Sequence, residues 1–294
     1  MDSIVQNVVD ALTLGSLYAL LGLGIALVFG IMQLVNFAHA ELLMFGGYAL
    51  FVTAALAWPL SMAISIIFVI LLALTMERVA FRGIRGANPA TGLITAFAVS
   101  FLLQNVAILV FGGRPKTVAL PEVLSESFVL GNIRVAKLNV LVVGLTILLL
   151  GVLGAFLKRT NLGIQMRAAA EDFEMARLLG VRADVVIATA FAMSGFLAGV
   201  AAIILVAQTG TLTPTMGILP VLMAFAVTIL GGLGSLTGAV LAGFVLGGLQ
   251  ATFQIVLPLD IRPYRDAFVF SFVILILLVR PQGLIVVRSA RGQI

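Results

Sequence analysis

Long apolar runs separated by short polar breaks organise the chain. They fall at 11–31, 40–57, 60–80, 91–111, 138–157, 185–206, 218–233, 236–257 and 267–279. Roughly 20 apolar residues are needed to cross about 30 Å of hydrocarbon, so the pattern predicts nine membrane-spanning helices. The breaks at Trp58-Pro59 and Gly231–Gly238 are the least marked, and the ninth run is short. Eight spans with a re-entrant segment therefore fit the same pattern. Asn88-Pro89 reads as an N-cap followed by proline at the first helical position. Arg280-Pro281 reads as a helix stop. Pro220, early in the seventh run, predicts a kink of the kind that neighbouring membrane helices can satisfy.

Composition agrees. Of 294 residues, 62% are hydrophobic and only 10% charged, with a mean hydropathy of +1.23. A soluble domain runs to about a quarter charged, so the expected fold class is an all-α integral membrane protein. It is read as a single domain over 1–294, a polytopic bundle of about eight or nine transmembrane helices. Cysteine is absent and there is one histidine, so a disulfide framework, a thiolate nucleophile and a histidine metal cluster are all excluded.

Charge sets the expected orientation. Residues 1–10 hold Asp2 and Asp10 but no Lys or Arg, which fits an N-terminus outside and argues against a cleavable signal peptide. Arg78, Arg82, Arg85, Lys158, Arg159, Arg167, Arg177, Arg182, Arg280, Arg288 and Arg291 then lie inside. Arg114, Lys116, Arg134, Lys137, Arg262 and Arg265 lie outside. The bias predicts a cytoplasmic C-terminus. The net charge of +5 is thereby read as topology control, with no nucleic-acid partner.

Two polar connections stand out. The outer one, 112–137, carries Pro115, Pro121 and Gly131 and is long enough to cover a vestibule. The inner one, 158–184, is the most polar stretch of the chain. From Met166 to Leu179 its apolar residues (Met166, Ala169, Ala170, Phe173, Ala176, Leu179) recur at helical spacing. Arg167 and Glu171 form a candidate i,i+4 pair, and Gly180 stands where a C-cap glycine would. Glu171, Asp172 and Glu174 disfavour a membrane-surface role, because such a surface prefers Lys and Arg. The segment is read as a cytoplasmic helix that docks on another protein.

The segment 214–243 is glycine-rich. Gly234-x-x-x-Gly238 and Gly243-x-x-x-Gly247 predict close helix packing. Pro214, Gly217, Gly231, Gly232, Gly234 and Gly238 are the candidate packing or gating positions. Within the runs, ionisable groups lie near the ends: Glu41 at the start of the second, Glu77 and Arg78 at the inner end of the third. Ion coupling is therefore disfavoured. The polar groups there are neutral, and Asn36, Gln104, Asn105, Gln250 and Gln254 are the candidate substrate path, with Gln250 and Gln254 on one face of an outward vestibule; interhelical hydrogen bonding is the competing reading, and the favoured one for any single residue among them. Asn36 is also a candidate cap for the second helix. No G-x-x-x-x-G-K-[ST] loop occurs, so any ATP hydrolysis belongs to another chain.

Several of these segments together carry a family resemblance. Leu12-Thr13-Leu14-Gly15-Ser16-Leu17-Tyr18-Ala19-Leu20, Gly30-Ile31 and Asn36-Phe37-Ala38-His39-Ala40-Glu41 resemble the H-type permease of bacterial branched-chain amino-acid ABC importers, with Ala40 where that family usually has glycine. Arg167-Ala168-Ala169-Ala170-Glu171-Asp172, with Ala176, Leu179 and Gly180, looks like its coupling segment. Pro214-Thr215-Met216-Gly217, Leu230 to Ala239 and Arg280-Pro281-Gln282-Gly283-Leu284 are similar to its later motifs. The resemblance implies a multi-pass permease of the bacterial plasma (inner) membrane that is not itself an enzyme. It implies a second homologous permease, two ATPase subunits and an extracytoplasmic solute-binding protein, with no cofactor on this chain and ATP and Mg held by the ATPases. Arg167, Ala170, Glu171, Asp172, Phe173, Ala176, Leu179 and Gly180 would then couple to the ATPase. The implied solutes are leucine, isoleucine and valine or similar aliphatic amino acids. Urea, amide or aromatic-acid importers of the same type, and a stand-alone secondary carrier, are the competing readings.

Overall fold

The computed structural model describes residues 2–118, 121, 126–130 and 133–285. Arg288, Arg291 and Gly131, named above, lie outside the described residues. The chain forms α1 (Asp2–Met32), α2 (His39–Val52), α3 (Trp58–Met76), α4 (Pro89–Phe111), α5 (Lys137–Arg159), α6 (Asn161–Glu171), α7 (Phe173–Leu178), α8 (Ala183–Thr209), α9 (Ile218–Gly231), α10 (Leu236–Val256) and α11 (Arg265–Val279). Each of the nine apolar runs is a helix.

Their lengths differ more than the runs did. Among the described residues, six helices are long and apolar enough to cross a membrane, which with the composition makes this an all-α integral membrane protein. α2 and α9 have 14 residues each and α11 has 15, short of the usual span. α3 continues into a π-helical turn, Glu77–Phe81, and a 3-10 turn, Arg82–Ile84.

Local chemistry explains the boundaries. Asn88 Oδ1 accepts from Ala90 N at 3.0 Å and starts α4. Ser235 Oγ accepts from Gly238 N at 3.0 Å and starts α10. α11 stops at Val279, before Arg280-Pro281. Pro220 does not kink α9. The helix begins at Ile218, so Pro220 sits in its first turn, where a missing N–H has no intrahelical acceptor to lose. Asn36 does not cap α2 directly. Its Oδ1 accepts from Ala38 N at 3.1 Å, closing the turn that precedes the helix.

Two four-helix units, α1–α4 and α8–α11, repeat one plan. Each opens with a long helix, turns back through a short loop (33–38 or 210–217), and makes a 14-residue helix. A tight connector and two further helices follow. The units interlock: α1 packs along α10 while α8 packs along α3, α1 touches α9 while α8 touches α2, and α1 crosses α8. The chain directions are opposed. Gly30, Ala19 and Gly15 of α1 meet Gly234, Gly243 and Gly247 respectively, and Ala73 and Ile66 of α3 meet Gly195 and Gly199.

These crossings depend on glycine. A Cβ on Gly243 would stand 2.6 Å from the Ala19 backbone, and one on Gly195 2.8 Å from the Ala73 methyl. Such approach lets backbones touch where solvent exclusion supplies no driving force between helices. Gly234-x-x-x-Gly238 is different from the helix-packing motif expected. Gly234 lies in the α9–α10 turn at φ +83°, and Gly238 fits closely under the Gly231 carbonyl.

Two small strand pairs sit at one end: β1 (Lys116–Thr117) with β4 (Thr211–Leu212), and β2 (Ser127–Leu130) with β3 (Ile133–Ala136), both antiparallel. The core lies where α1 and α8 meet their partners. Leu20, Leu21, Leu43, Ile187 and Phe191 are buried there, whereas α4 and α5 present mostly exposed apolar faces.

Candidate functional site

The long helices give the molecule two ends and a middle, and each holds a distinct polar constellation. At the first end, α1 begins and α8 and α10 finish. A cavity of about 260 Å³ opens there, lined among others by Asn7, Asp10, Asn139, Gln208, Gln254 and Arg265. Arg265 donates to Gln254 Oε1 at 2.6 Å.

Gln250, one turn before Gln254, does not reach this cavity. It is buried, accepts from the Tyr18 hydroxyl and donates to Asp266 Oδ1 at 2.8 Å. The pair expected to line one vestibule is thus divided: Gln254 is on its wall and Gln250 is in an interhelical hydrogen-bond chain. Gln104 and Asn105 are elsewhere, on α4. Gln104 Nε2 donates to the Pro214 carbonyl at 3.4 Å, and the exposed Asn105 donates to Phe101 O of its own helix at 2.8 Å. Asn36 is 4% exposed and bonded to Ala38 N. These five residues do not converge on one surface.

In the middle, the N-termini of the two short helices abut. Gly217, before α9, fits so closely on the Ala40 carbonyl that any Cβ would clash. His39 opens α2 against Gly24 of α1, eight residues and therefore about 12 Å from the end of that helix. Its Nδ1 lies 3.2 Å from Ser194 Oγ of α8. Glu41 is 2% exposed and its Oε1 accepts from Ser100 Oγ of α4 at 2.8 Å. Phe37 stacks on Phe97 at 4.4 Å between centroids and leans on Phe225. The sequence pattern places Glu41 at the start of the second run, which by itself reads as the end of a span. The loop 33–38 instead carries the chain back along α1. The signal available was the pair of half-length runs at corresponding places in the two units, which is the pointer for broken helices.

At the second end, α1 and α9 finish and α8 begins. A cavity of about 760 Å³ lies among Gly30–Gln33, Arg85, Ala169–Glu174, Arg177, Asp184 and Ile187. Its wall is the polar 158–184 segment, and this differs from the single helix over 166–179. α6 starts at Asn161, capped by Thr160 Oγ1 accepting from Gly163 N at 3.0 Å. The helix breaks at Asp172, whose extended backbone (φ −150°) lets its Oδ1 accept from Met175 N at 2.9 Å and cap α7.

The expected Arg167–Glu171 pair does not form. Arg167 Nε donates to Leu157 O at 2.9 Å, tying α6 to the end of α5. Met166, Ala169 and Ala176 are buried, and Ala170 and Phe173 half-buried, as the apolar face requires. Leu179 is 80% exposed, because the break at Asp172 rotates α7 away from the face continued from α6. Gly180 closes α7 at φ +87°, with Val181 N donating to Ala176 O at 3.1 Å in a Schellman arrangement.

One further charged group at this end was not anticipated. Arg85, after the π turn, donates to Glu77 and to Asp184, and Arg82 reaches Asp184 at 2.7 Å. The network fastens the end of α3 to the start of α8 at the mouth of the 760 Å³ cavity.

Comparison with known proteins agrees with this architecture. The family model described as the permease component of branched-chain amino-acid transport systems matches residues 7–279. The chain is 37% identical over 296 residues to the high-affinity branched-chain amino-acid transport system permease protein BraD of Pseudomonas aeruginosa, covering 95% of each chain. It is 34% identical over 297 residues to the corresponding permease protein LivH of Escherichia coli, covering 95% of this chain and 94% of the other. A partial match, 32% over 155 residues and half of this chain, links it to the xylose transport system permease protein XylH of Escherichia coli. Among solved structures, PsaBC from Streptococcus pneumoniae in complex with Fab shares the fold, with a TM-score of 0.51, 15% identity, and coverage of 96% of this chain and 93% of that one.

Proposed function

The chain belongs to the permease family of branched-chain amino-acid transport systems and is a membrane-embedded permease subunit of an ABC importer; from that premise we propose that it carries leucine, isoleucine and valine or similar aliphatic amino acids. The single observation that carries this reading is the near full-length match to permeases of that specificity. In the proposal, the chain is a single domain in the bacterial plasma membrane, N-terminus outside and C-terminus cytoplasmic. Its nine apolar helices, α1–α5 and α8–α11, cross or enter the bilayer, with α2 and α9 as half-spans meeting inside it.

The mechanism follows from the three constellations. A soluble binding protein presents the solute at the end where α1 begins, beside the 112–137 connection. The 158–184 segment meets an ATPase at the other end, and ATP with its Mg is hydrolysed there by two partner ATPase chains. Arg167, Ala170, Glu171, Asp172, Phe173, Ala176, Leu179 and Gly180 form the coupling unit. Exposed Leu178 and Leu179 at its tip (81% and 80%) supply an apolar contact, flanked by Glu171, Glu174 and Arg177. Closing of the ATPases pushes this unit against α1 and α8, and the permease rocks against a second permease. The contacts of Gly217 with Ala40 and Gly234 with Gly30, and the bond from Gln104 to the buried Pro214, keep the two repeat units in register during that motion, while Gly231, Gly232 and Gly238 hold the second unit together.

Reconstitution tests this. The chain is co-expressed with the genes beside its own, purified, placed in proteoliposomes, and supplied with ATP and labelled leucine. ATP-dependent leucine uptake supports the proposal. An intact complex that imports xylose or urea but not leucine would replace the solute. A chain that transports without any ATPase would remove the mechanism.

A further inference from the structure

The cavity at the end where α1 begins has a composition that a general water-filled opening does not need. Its wall carries one carboxylate, Asp10 from α1, and one guanidinium, Arg265 from α11. Amide groups from Asn139 and Gln208 share the wall with them, and Leu14 and Ile255 add apolar surface. A guanidinium has five N–H donors; one meets Gln254 at 2.6 Å and Nε faces Asp266 Oδ1 at 3.6 Å, so the other Nη donors remain for a carboxylate. Asp10 accepts one bond, from Gln6 at 3.2 Å, and keeps acceptor capacity for an ammonium.

We propose that this cavity is a binding site for a zwitterionic aliphatic amino acid within the permease, the α-ammonium toward Asp10, the α-carboxylate toward Arg265 and the side chain against Leu14 and Ile255. The proposal deepens the solute assignment above and rests on it. Paired opposite charges favour a solute bearing both over one bearing either, because each charge of a zwitterion is met when it leaves water. At about 260 Å³ the space is just below the roughly 300–1,000 Å³ of drug-sized sites, which suits a smaller solute. The polar lining residues Asp10, Asn139, Gln208, Gln254 and Arg265 come from five helices, α1, α5, α8, α10 and α11, so movement of the long helices would alter the site's shape and release the solute.

Cysteine is absent from the chain, so a single Asn139→Cys substitution reports from this site without background on this subunit. The assembled importer is reconstituted without binding protein, and labelling of this chain by a small membrane-impermeant maleimide is followed. Leucine is expected to slow labelling several-fold, while isocaproate, which lacks the ammonium, and isoamylamine, which lacks the carboxylate, leave it unchanged. Asp10→Asn and Arg265→Gln, each in the Asn139→Cys background, should abolish protection; both side chains are half-buried, so both variants are expected to assemble. No protection by leucine, equal protection by a singly charged analogue, or protection that follows zwitterionic lipid content instead of leucine overturns the site. If the unsubstituted importer takes up leucine with ATP while protection is absent, only the site falls. If it takes up no leucine at all, the solute assignment falls first.

Discussion

Single residues carry the helix crossings of this protein, and glycine makes the point most sharply. Gly243 has the Ala19 backbone within 2.6 Å of where a Cβ would lie, whereas nothing lies within 4 Å of the same point on Gly248. Both are in α10, so helix propensity acts on them equally. Gly248→Ala should raise stability by up to about 1 kcal/mol through that propensity alone. Gly243→Leu should lower it by about 1–3 kcal/mol or more, because a backbone must move to admit the side chain. Thermal unfolding of the purified protein in a mild detergent separates the two, and equal shifts would show that the α1–α10 crossing is not closely packed. Ser235→Ala offers a milder case. It removes the acceptor for Gly238 N at 3.0 Å and should cost about 1 kcal/mol, read in the same assay.

At the level of elements, the charged network around Arg85 ranks its members by burial. The Glu77 side chain is 7% exposed and that of Arg85 20%, against 47% for Arg82 and 57% for Asp184. Arg85→Gln leaves the Glu77 carboxylate buried without its cation and should cost on the order of 2–4 kcal/mol. Arg82→Gln loses an exposed pair and should cost less than about 1 kcal/mol. Adding Glu77→Gln to Arg85→Gln should recover part of the loss; unfolding curves of the double variant no better than the single would deny the pairing. The sequence made the helices themselves legible, since a long apolar run in a membrane protein has few alternatives to a helix. It also made the caps at Asn88 and Gly180 legible, because each depends on a local bond. The break at Asp172 was hidden: the apolar spacing runs through it, and only the competing side-chain bond to Met175 N ends the helix. Gln250 and Gln254 were likewise inseparable in sequence, being one turn apart; what divides them is Tyr18, 232 positions away from Gln250.

For the whole molecule, the question is where it bends. α1 runs from the 260 Å³ cavity, past the buried junction of α2 and α9, to the 760 Å³ cavity. Close contacts of Gly15 with Gly247 and Ala19 with Gly243 lock it to α10, and Gly30 meets Gly234 in the turn before that helix. A helix held in this way transmits displacement along its axis and does not absorb it, since packed interiors shift between discrete arrangements. Helix α6 rests on the same helix: a Cβ on Gly30 would lie 3.9 Å from the Ala170 Cβ, inside the roughly 3.5–4.5 Å range for a disulfide. Gly30→Cys with Ala170→Cys should therefore close a disulfide on oxidation in a chain that has no other cysteine. If α6 and α1 move as one body, the oxidised protein should retain solute-stimulated ATPase activity and uptake close to the reduced level. Loss of both on oxidation, restored by a reductant, would place the moving joint between α6 and α1, and the push of the ATPase would then reach the core through α8 and its Arg85 network instead.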